Sequence, residues 1–154
     1  MRSLTAAGLA IGLIALPATA GATLGRDTSS VDADRVHAQG ALIRIVHSDT
    51  YTVHEMQSSS GTTIREYVSS SGTVFGVAWQ GPWLPDLRQV LGDYYADYQR
   101  ALQARASGQR RARGSITVDL PDLQVQISGH PRAFSGRAYV PRLMPLRVQA
   151  DAIR

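Results

Sequence analysis

The sequence predicts an α+β fold, an antiparallel β-meander of six to seven strands with one main amphipathic helix packed on it. Four segments rich in β-branched and aromatic residues follow one another between positions 41 and 80, which is typical of neighbouring strands. A stripe of apolar residues at helical spacing follows between positions 87 and 102. Short alternating segments return after position 115, and this order of elements indicates the α+β class.

The N-terminal segment predicts export. Arg2 supplies a positive charge, residues 4–16 are uncharged and mostly apolar, and small residues follow Pro17. This pattern is typical of a signal peptide over residues 1–22, cleaved near Ala22 or, in the other register, after Ala20. The apolar run is shorter than the roughly 20 residues that span a bilayer, although an uncleaved anchor is the alternative. We expect a protein of the bacterial periplasm or the extracellular space, with no transmembrane segment in the mature chain.

The remaining composition narrows the possible functions. Residues 23–40 are small and polar and predict a flexible or partly helical lead segment, whereas residues 41–154 predict a single α+β domain. The chain has no cysteine, which excludes disulfides, thiol nucleophiles and cysteine-ligated metals. Its formal charge of +4, from 16 arginines against 12 acidic residues, is too modest to indicate nucleic acid.

The four strands of the first group are predicted over residues 41–46, 51–57, 62–69 and 73–80. The string Ser-Ser-Ser-Gly-Thr occurs at 58–62 and again at 69–73. One strand and one tight turn account for this eleven-residue spacing, so the segment reads as an antiparallel meander.

The helix is predicted from a cap at Asp86, with Gln89 completing a capping box, to about Ala106. Two prolines in residues 81–85 end the meander before it, and the arginine run 110–113 forms an exposed loop after it. The final strands are predicted over 116–120, 123–128 and 133–140. A four-residue loop there would pair Ile127 with Phe134, and the tail 141–154 would lie along the surface.

The only two glutamates are the first candidates for catalysis. If residues 58–61 form a four-residue loop, Glu55 and Glu66 share a face of the sheet as diagonal neighbours. Their carboxyl groups could then act as acid and base in a glycosidase-like hydrolase. Arginine–glutamate pairing on a solvated face is the structural alternative. His54 would lie on the opposite face beside Arg65, as a base or, more simply, a hydrogen-bonded border residue.

The candidates for ligand binding are aromatic or basic. Trp79 and Trp83 could line a groove between sheet and helix, or belong to the core. The last hairpin carries arginines that suit carboxylate or phosphate, and its candidates are His130, Arg132, Arg137 and Tyr139. No metal-binding, nucleotide-binding or serine-hydrolase signature occurs, so we expect no metal and no cofactor.

Several segments resemble the family of exported bacterial proteins catalogued as domain of unknown function 2844. They are Tyr-Thr-Val-His-Glu at 51–55, Arg-Glu-Tyr-Val at 65–68, Val-Ala-Trp-Gln-Gly-Pro at 77–82, Pro-Asp-Leu-Arg at 85–88, Gly-His at 129–130 and Gly-Arg-Ala-Tyr-Val-Pro at 136–141. The resemblance implies export and a single-domain layout, and it implies no activity.

The sequence therefore favours an exported, non-enzymatic binding or envelope-associated module of unknown biochemical function. Its partner could be an anionic small molecule or an envelope component. The alternative is a small periplasmic hydrolase that acts on an envelope polymer through Glu55 and Glu66.

Overall fold

The computed structural model describes residues 24–27, 41–106 and 115–154. The predicted signal peptide, residues 28–40 of the predicted lead segment and the arginine run at 110–113 lie outside the described residues. In the described part, no helix is both long enough and apolar enough to cross a membrane.

Seven antiparallel strands form one sheet, which confirms the predicted fold class. Their order across the sheet is β1-β2-β3-β4-β7-β6-β5. The first meander therefore joins the second through the pairing of β4 with β7. The strands are β1 (Ala41–His47), β2 (Tyr51–Gln57), β3 (Thr63–Ser69), β4 (Val74–Gly81), β5 (Ser115–Leu120), β6 (Leu123–His130) and β7 (Ala133–Tyr139).

The two serine-rich turns of the first meander have the same hydrogen-bond pattern. In the first, the Gly61 N–H donates to the Ser58 carbonyl and the Ser58 N–H donates to the Thr62 carbonyl, both at 2.9 Å. Gly61 has φ +86°, a left-handed conformation that favours glycine. The same bonds recur eleven positions later at Ser69, Gly72 and Thr73. The repeated string therefore encodes a repeated turn, as predicted.

The register between β2 and β3 differs from the prediction by one residue. Gln57 pairs with Thr63, so five residues rather than four connect the strands. The cause lies at Thr62. Its carbonyl accepts the Ser58 N–H within the turn, so the strand begins one residue later. Glu55 consequently pairs with Arg65, and Glu66 pairs with His54. Because successive residues point to opposite faces, this slip places the two glutamates on opposite faces of the sheet.

The last hairpin differs from the prediction by two residues. Its turn contains only Pro131 and Arg132, because His130 already pairs with Ala133. Ile127 therefore pairs with Gly136 and not with Phe134. A shift of two residues changes the pairs but keeps each side chain on its predicted face.

The edge strand β1 is irregular. Its pairing with β2 shifts between Leu42 and Arg44, which leaves Ile43 in a bulge. Ile43, Ile45 and Val46 are all exposed.

The predicted helix is present but interrupted. Helix α1 covers Leu87–Leu91, a 3-10 turn covers Gly92–Tyr94, and helix α2 covers Tyr95–Ala106. Asp86 caps α1, since its carboxylate accepts the Arg88 N–H at 2.9 Å. Gly92 ends α1 with φ +52°, a conformation that the helix cannot continue.

The sheet is covered on both sides. On one side, the helix face, Val90, Leu91 and Tyr98 pack with the largest core cluster. On the other side, the strap face, residues 141–154 form a C-terminal strap that buries Ile153. Residues 24–27 also belong to the folded part: Leu24 is buried, and Gly25 donates its N–H to the Val74 carbonyl at 2.8 Å.

Replacing Gly136 with alanine should destabilise the protein. A Cβ at this position would lie 2.4 Å from Trp79 Cζ2, and the Trp79 side chain is buried and cannot move away freely. We expect Gly136→Ala to lower the free energy of unfolding by about 2 kcal/mol, as measured by urea denaturation. The control is Ser135→Ala on the opposite face, for which we expect a loss within about 0.5 kcal/mol. Equal losses in the two variants would contradict the tight approach at Gly136.

Candidate functional site

Glu55 lies on the strap face between two arginines. Its Oε2 accepts a hydrogen bond from Arg65 Nε at 2.7 Å, and Arg44 Nη2 lies 3.8 Å from the same oxygen. This is the arginine–glutamate pairing that the structural alternative predicted. The Glu55 carboxylate therefore forms ion pairs with arginines of the neighbouring strands. The other glutamate does not share this face.

Glu66 lies on the helix face and is fully buried. Its neighbours across the sheet are His54 on β2 and Val77 on β4. His54 was predicted beside Arg65, and this was wrong, because the one-residue shift brings His54 opposite Glu66 instead. Of the three catalytic candidates, the structure therefore pairs the histidine with one glutamate and separates the two glutamates.

A glycosidase needs both carboxyl groups to flank one bond of the substrate. Glu55 and Glu66 are on opposite sides of the sheet, and Glu66 has no exposed surface. The two groups therefore cannot act on one bond as acid and base. A buried carboxyl group with a histidine across the sheet instead contributes to how the core is organised.

The candidates for ligand binding occupy three separate places. Trp79 is 2% exposed and belongs to the core cluster under the helix, which is the core position considered in the sequence analysis. Arg137 and Tyr139 lie on the strap face. Trp83, His130 and Arg132 are exposed.

The three exposed candidates lie at one end of the sheet, which we call the loop end. It consists of residues 58–62, 82–86 and 131–132, which connect β2 to β3, β4 to α1 and β6 to β7, together with Gly81 and His130 at the ends of their strands. The last two of these loops lie close together, because Phe134 pairs with Gly81 on one side and with Gly129 on the other. The β4–β3 pairing brings the first loop beside the second.

Trp83 is held firmly although its side chain is exposed. The Thr62 hydroxyl donates to the Trp83 carbonyl at 2.8 Å and accepts the Trp83 N–H at 3.3 Å. Thr62 itself is 1% exposed, and a Cβ on Gly81 would lie 2.5 Å from its Cα. The indole is 59% exposed and the next side chain, Leu84, is 43% exposed. The loop therefore presents two apolar side chains to solvent from a fixed main chain.

Arg137 is not available to an external anion in this structure. Its Nε donates to Gln126 Oε1 at 2.9 Å, and its Nη1 donates to two carbonyls of the strap. The prediction of an anion site on the last hairpin therefore applies only to Arg132 and His130, which are exposed at the hairpin turn.

The tyrosines of the helix are structural. Tyr98 is buried in the core, and this burial, with a smaller contribution from nearby Tyr95, raises the pKa of its hydroxyl. The Arg88 guanidinium lies 5.3 Å from the centre of the Tyr95 ring, within the range of a cation–π contact. Among the described residues, no group of three or more His, Asp or Glu side chains could hold a metal ion.

The geometry defines an α+β protein whose sheet is covered by a helix on one face and by its own strap on the other. The model of a family described as a protein of unknown function, DUF2844, matches residues 20–153. The chain therefore belongs to the DUF2844 family, as its resemblance indicated. No curated protein and no solved structure matches the chain.

Sequence reasoning missed the strap as a part of the core. One signal was available in the sequence. Gly76 lies in the middle of β4, between apolar residues that are all buried. A glycine inside a strand often marks the close approach of another segment. Here that segment is the strap, since a Cβ on Gly76 would lie 2.8 Å from Ile153 Cδ1.

The two glutamates provide a matched pair for a stability measurement. We expect Glu66→Ala to lower the free energy of unfolding by about 2–4 kcal/mol, because it leaves a cavity and disrupts a buried polar group. Glu55→Ala should cost about 1 kcal/mol, because its arginine partners remain partly solvated. Urea denaturation monitored by circular dichroism measures both values. A cost for Glu55→Ala equal to that for Glu66→Ala would contradict the assignment of the two faces.

Proposed function

We propose that the protein is an exported, non-enzymatic binding module that attaches to an anionic component of the bacterial envelope through the loop end. The observation that carries this proposal is Trp83, an exposed indole whose main chain is fixed by a buried threonine. The periplasm, or the outside of the cell, is the proposed location, supported by the signal-peptide pattern of residues 1–22.

The exposed side chains of Trp83 and Leu84 contribute little to the core of the protein but could contribute apolar area to an interface. Burial of apolar surface is favourable by about 25 cal/mol per Å², and Trp83 and Leu84 leave much of theirs in water. Tryptophan and arginine dominate the binding energy of many interfaces. A fixed main chain also reduces the entropy that is lost when a partner orders the loop.

The charge of the loop end supports an anionic partner. His130 and Arg132 are exposed there, and the one acidic residue of the three loops, Asp86, caps α1 by accepting the Arg88 N–H at 2.9 Å. An exposed tryptophan at the same end of the sheet as an exposed arginine is suited to anionic lipid headgroups, where the indole enters the interface, and to acidic envelope polymers. The hydrolase alternative receives no comparable support, since its two carboxyl groups lie on opposite faces.

Trp83→Ala should weaken envelope binding without unfolding the protein. The probes are vesicles of phosphatidylglycerol and purified peptidoglycan, with phosphatidylcholine vesicles as the uncharged reference, and bound protein is measured by co-sedimentation. We expect the wild type to bind at least one anionic probe and Trp83→Ala to lose about tenfold or more in affinity. Arg132→Gln should weaken binding less and reduce its dependence on salt.

The matched control is Leu146→Ala, which removes a 90% exposed apolar side chain outside the loop end. It should bind as the wild type does. If the wild type binds none of the probes, or if both alanine variants bind equally well, the loop end is not the binding surface.

Export can be tested separately by mass spectrometry. Protein expressed with its own N-terminus in a bacterium and released from the periplasm should have the mass of residues 23–154. A mass that corresponds to residues 21–154 would place cleavage after Ala20. A chain that retains Met1 and stays in the cytoplasm would contradict the proposed export.

A further inference from the structure

The C-terminal strap occupies a groove on the sheet. It consists of a 3-10 turn at Pro141–Leu143, a connecting segment and a second 3-10 turn at Ala150–Ala152. Ile153 follows and is fully buried between the strap and the sheet.

The sheet side chains that hold the strap bind its main chain. Arg137 Nη1 donates to the carbonyls of Ala150 and Ile153 at 2.6 and 3.3 Å. The Tyr67 hydroxyl donates to the Arg154 carbonyl at 2.9 Å and accepts the Arg154 N–H at 3.1 Å. Arg65 Nη1 donates to the same carbonyl at 3.3 Å. These contacts do not depend on which side chains residues 150–154 carry.

One side chain of the strap is selected by shape. Ile153 packs against Tyr67, Phe75 and Ala78 and lies directly over Gly76. The lack of a side chain at Gly76 creates the space, because a Cβ there would lie within 2.8 Å of Ile153 Cδ1. The groove thus combines hydrogen bonds to the main chain of the strap with one apolar pocket, so the main chain supplies affinity and a single side chain supplies specificity.

The docked strap also contains a strained residue. Arg147 has φ +73°, a left-handed conformation that is unfavourable for a residue with a Cβ. Its side chain is exposed, so no burial compensates locally. A hydrogen bond from the Val148 N–H to the Pro145 carbonyl at 3.1 Å closes the turn that holds this conformation. The strain raises the free energy of the docked strap, so removing it should favour docking.

We propose that this groove is a peptide-binding site that the protein's own strap occupies. A segment of a partner protein that forms the same 3-10 turn, with an aliphatic side chain at the position of Ile153, replaces the strap when it lifts. The site lies on the strap face and is independent of the loop end, so it does not rest on the proposed function above.

The first test uses hydrogen exchange of the folded, full mature chain. The N–H groups of Ile153 and Arg154, which bond to the Ala150 carbonyl and the Tyr67 hydroxyl, should exchange faster than those of β4. Arg147→Gly should slow them by about tenfold, because glycine adopts the left-handed conformation without strain. If the strap and β4 exchange at one common rate in both proteins, the strap opens only on global unfolding and the proposal is wrong.

The second test measures binding of a fluorescent, amidated peptide with the sequence of residues 145–154 by anisotropy. Ile153→Asp prevents the strap from filling the pocket, so this variant should bind the peptide at least tenfold more tightly than the wild type. Gln149→Asp, which places the same charge at an exposed strap position, should bind as the wild type does. Adding Gly76→Ala to Ile153→Asp should abolish binding by blocking the pocket.

The outcomes are distinguishable. A folded Ile153→Asp variant that does not bind the peptide would overturn the proposal. A wild type with the mass of a dimer that Ile153→Asp converts to monomer would also overturn it, because the groove would then take the strap of a second copy. If Ile153→Asp does not fold, the comparison of Arg147→Gly with the wild type still decides whether the strap opens.

Discussion

The pairing of β4 with β7 is the contact on which the rest of the structure depends. It joins the two meanders, and it places β4 at the centre of the sheet, where residues 74–79 are all buried. A strand buried on both sides requires a cover on each face of the sheet. The helix covers Val77 and Trp79, and the strap covers Phe75 and Ala78. Both covers are therefore consequences of one central strand.

The existence and order of the strands could be predicted because β-branched segments and the repeated serine-rich turn are local signals. The register could not, since it depends on whether Thr62 belongs to the turn or to the strand. That threonine is kept in the turn by its carbonyl, which accepts the Ser58 N–H, and its hydroxyl also bonds to the main chain of Trp83. The residue types alone do not show on which side of Thr62 the strand begins. The resulting one-residue shift separated two glutamates that we had expected together, whereas the two-residue shift in the last hairpin left every face correct.

The candidate sites differ in how far the sequence could reveal them. Trp83, His130 and Arg132 were recognisable as residue types that bind ligands, but only the pairing of Phe134 with two strands puts their loops at one end. The strap groove left only one signal in the sequence, the glycine at position 76, because its hydrogen bonds go to main-chain atoms and do not depend on residue type. Arg137 illustrates the difference: its residue type suggested an anion, and its actual acceptors are neutral oxygens.

The bulge in β1 affects how readily the edge of this sheet can pair with a strand of another molecule. A sheet that ends in a regular apolar strand recruits other sheets and grows into aggregates. At this edge Ile43, Ile45 and Val46 are exposed, but the irregular step between Leu42 and Arg44 twists the strand and interrupts the ladder that an incoming strand would need. The positive charge of Arg44 repels an identical strand as well. The same irregularity thus opposes edge-to-edge pairing with a second sheet while the apolar side chains of this edge stay exposed.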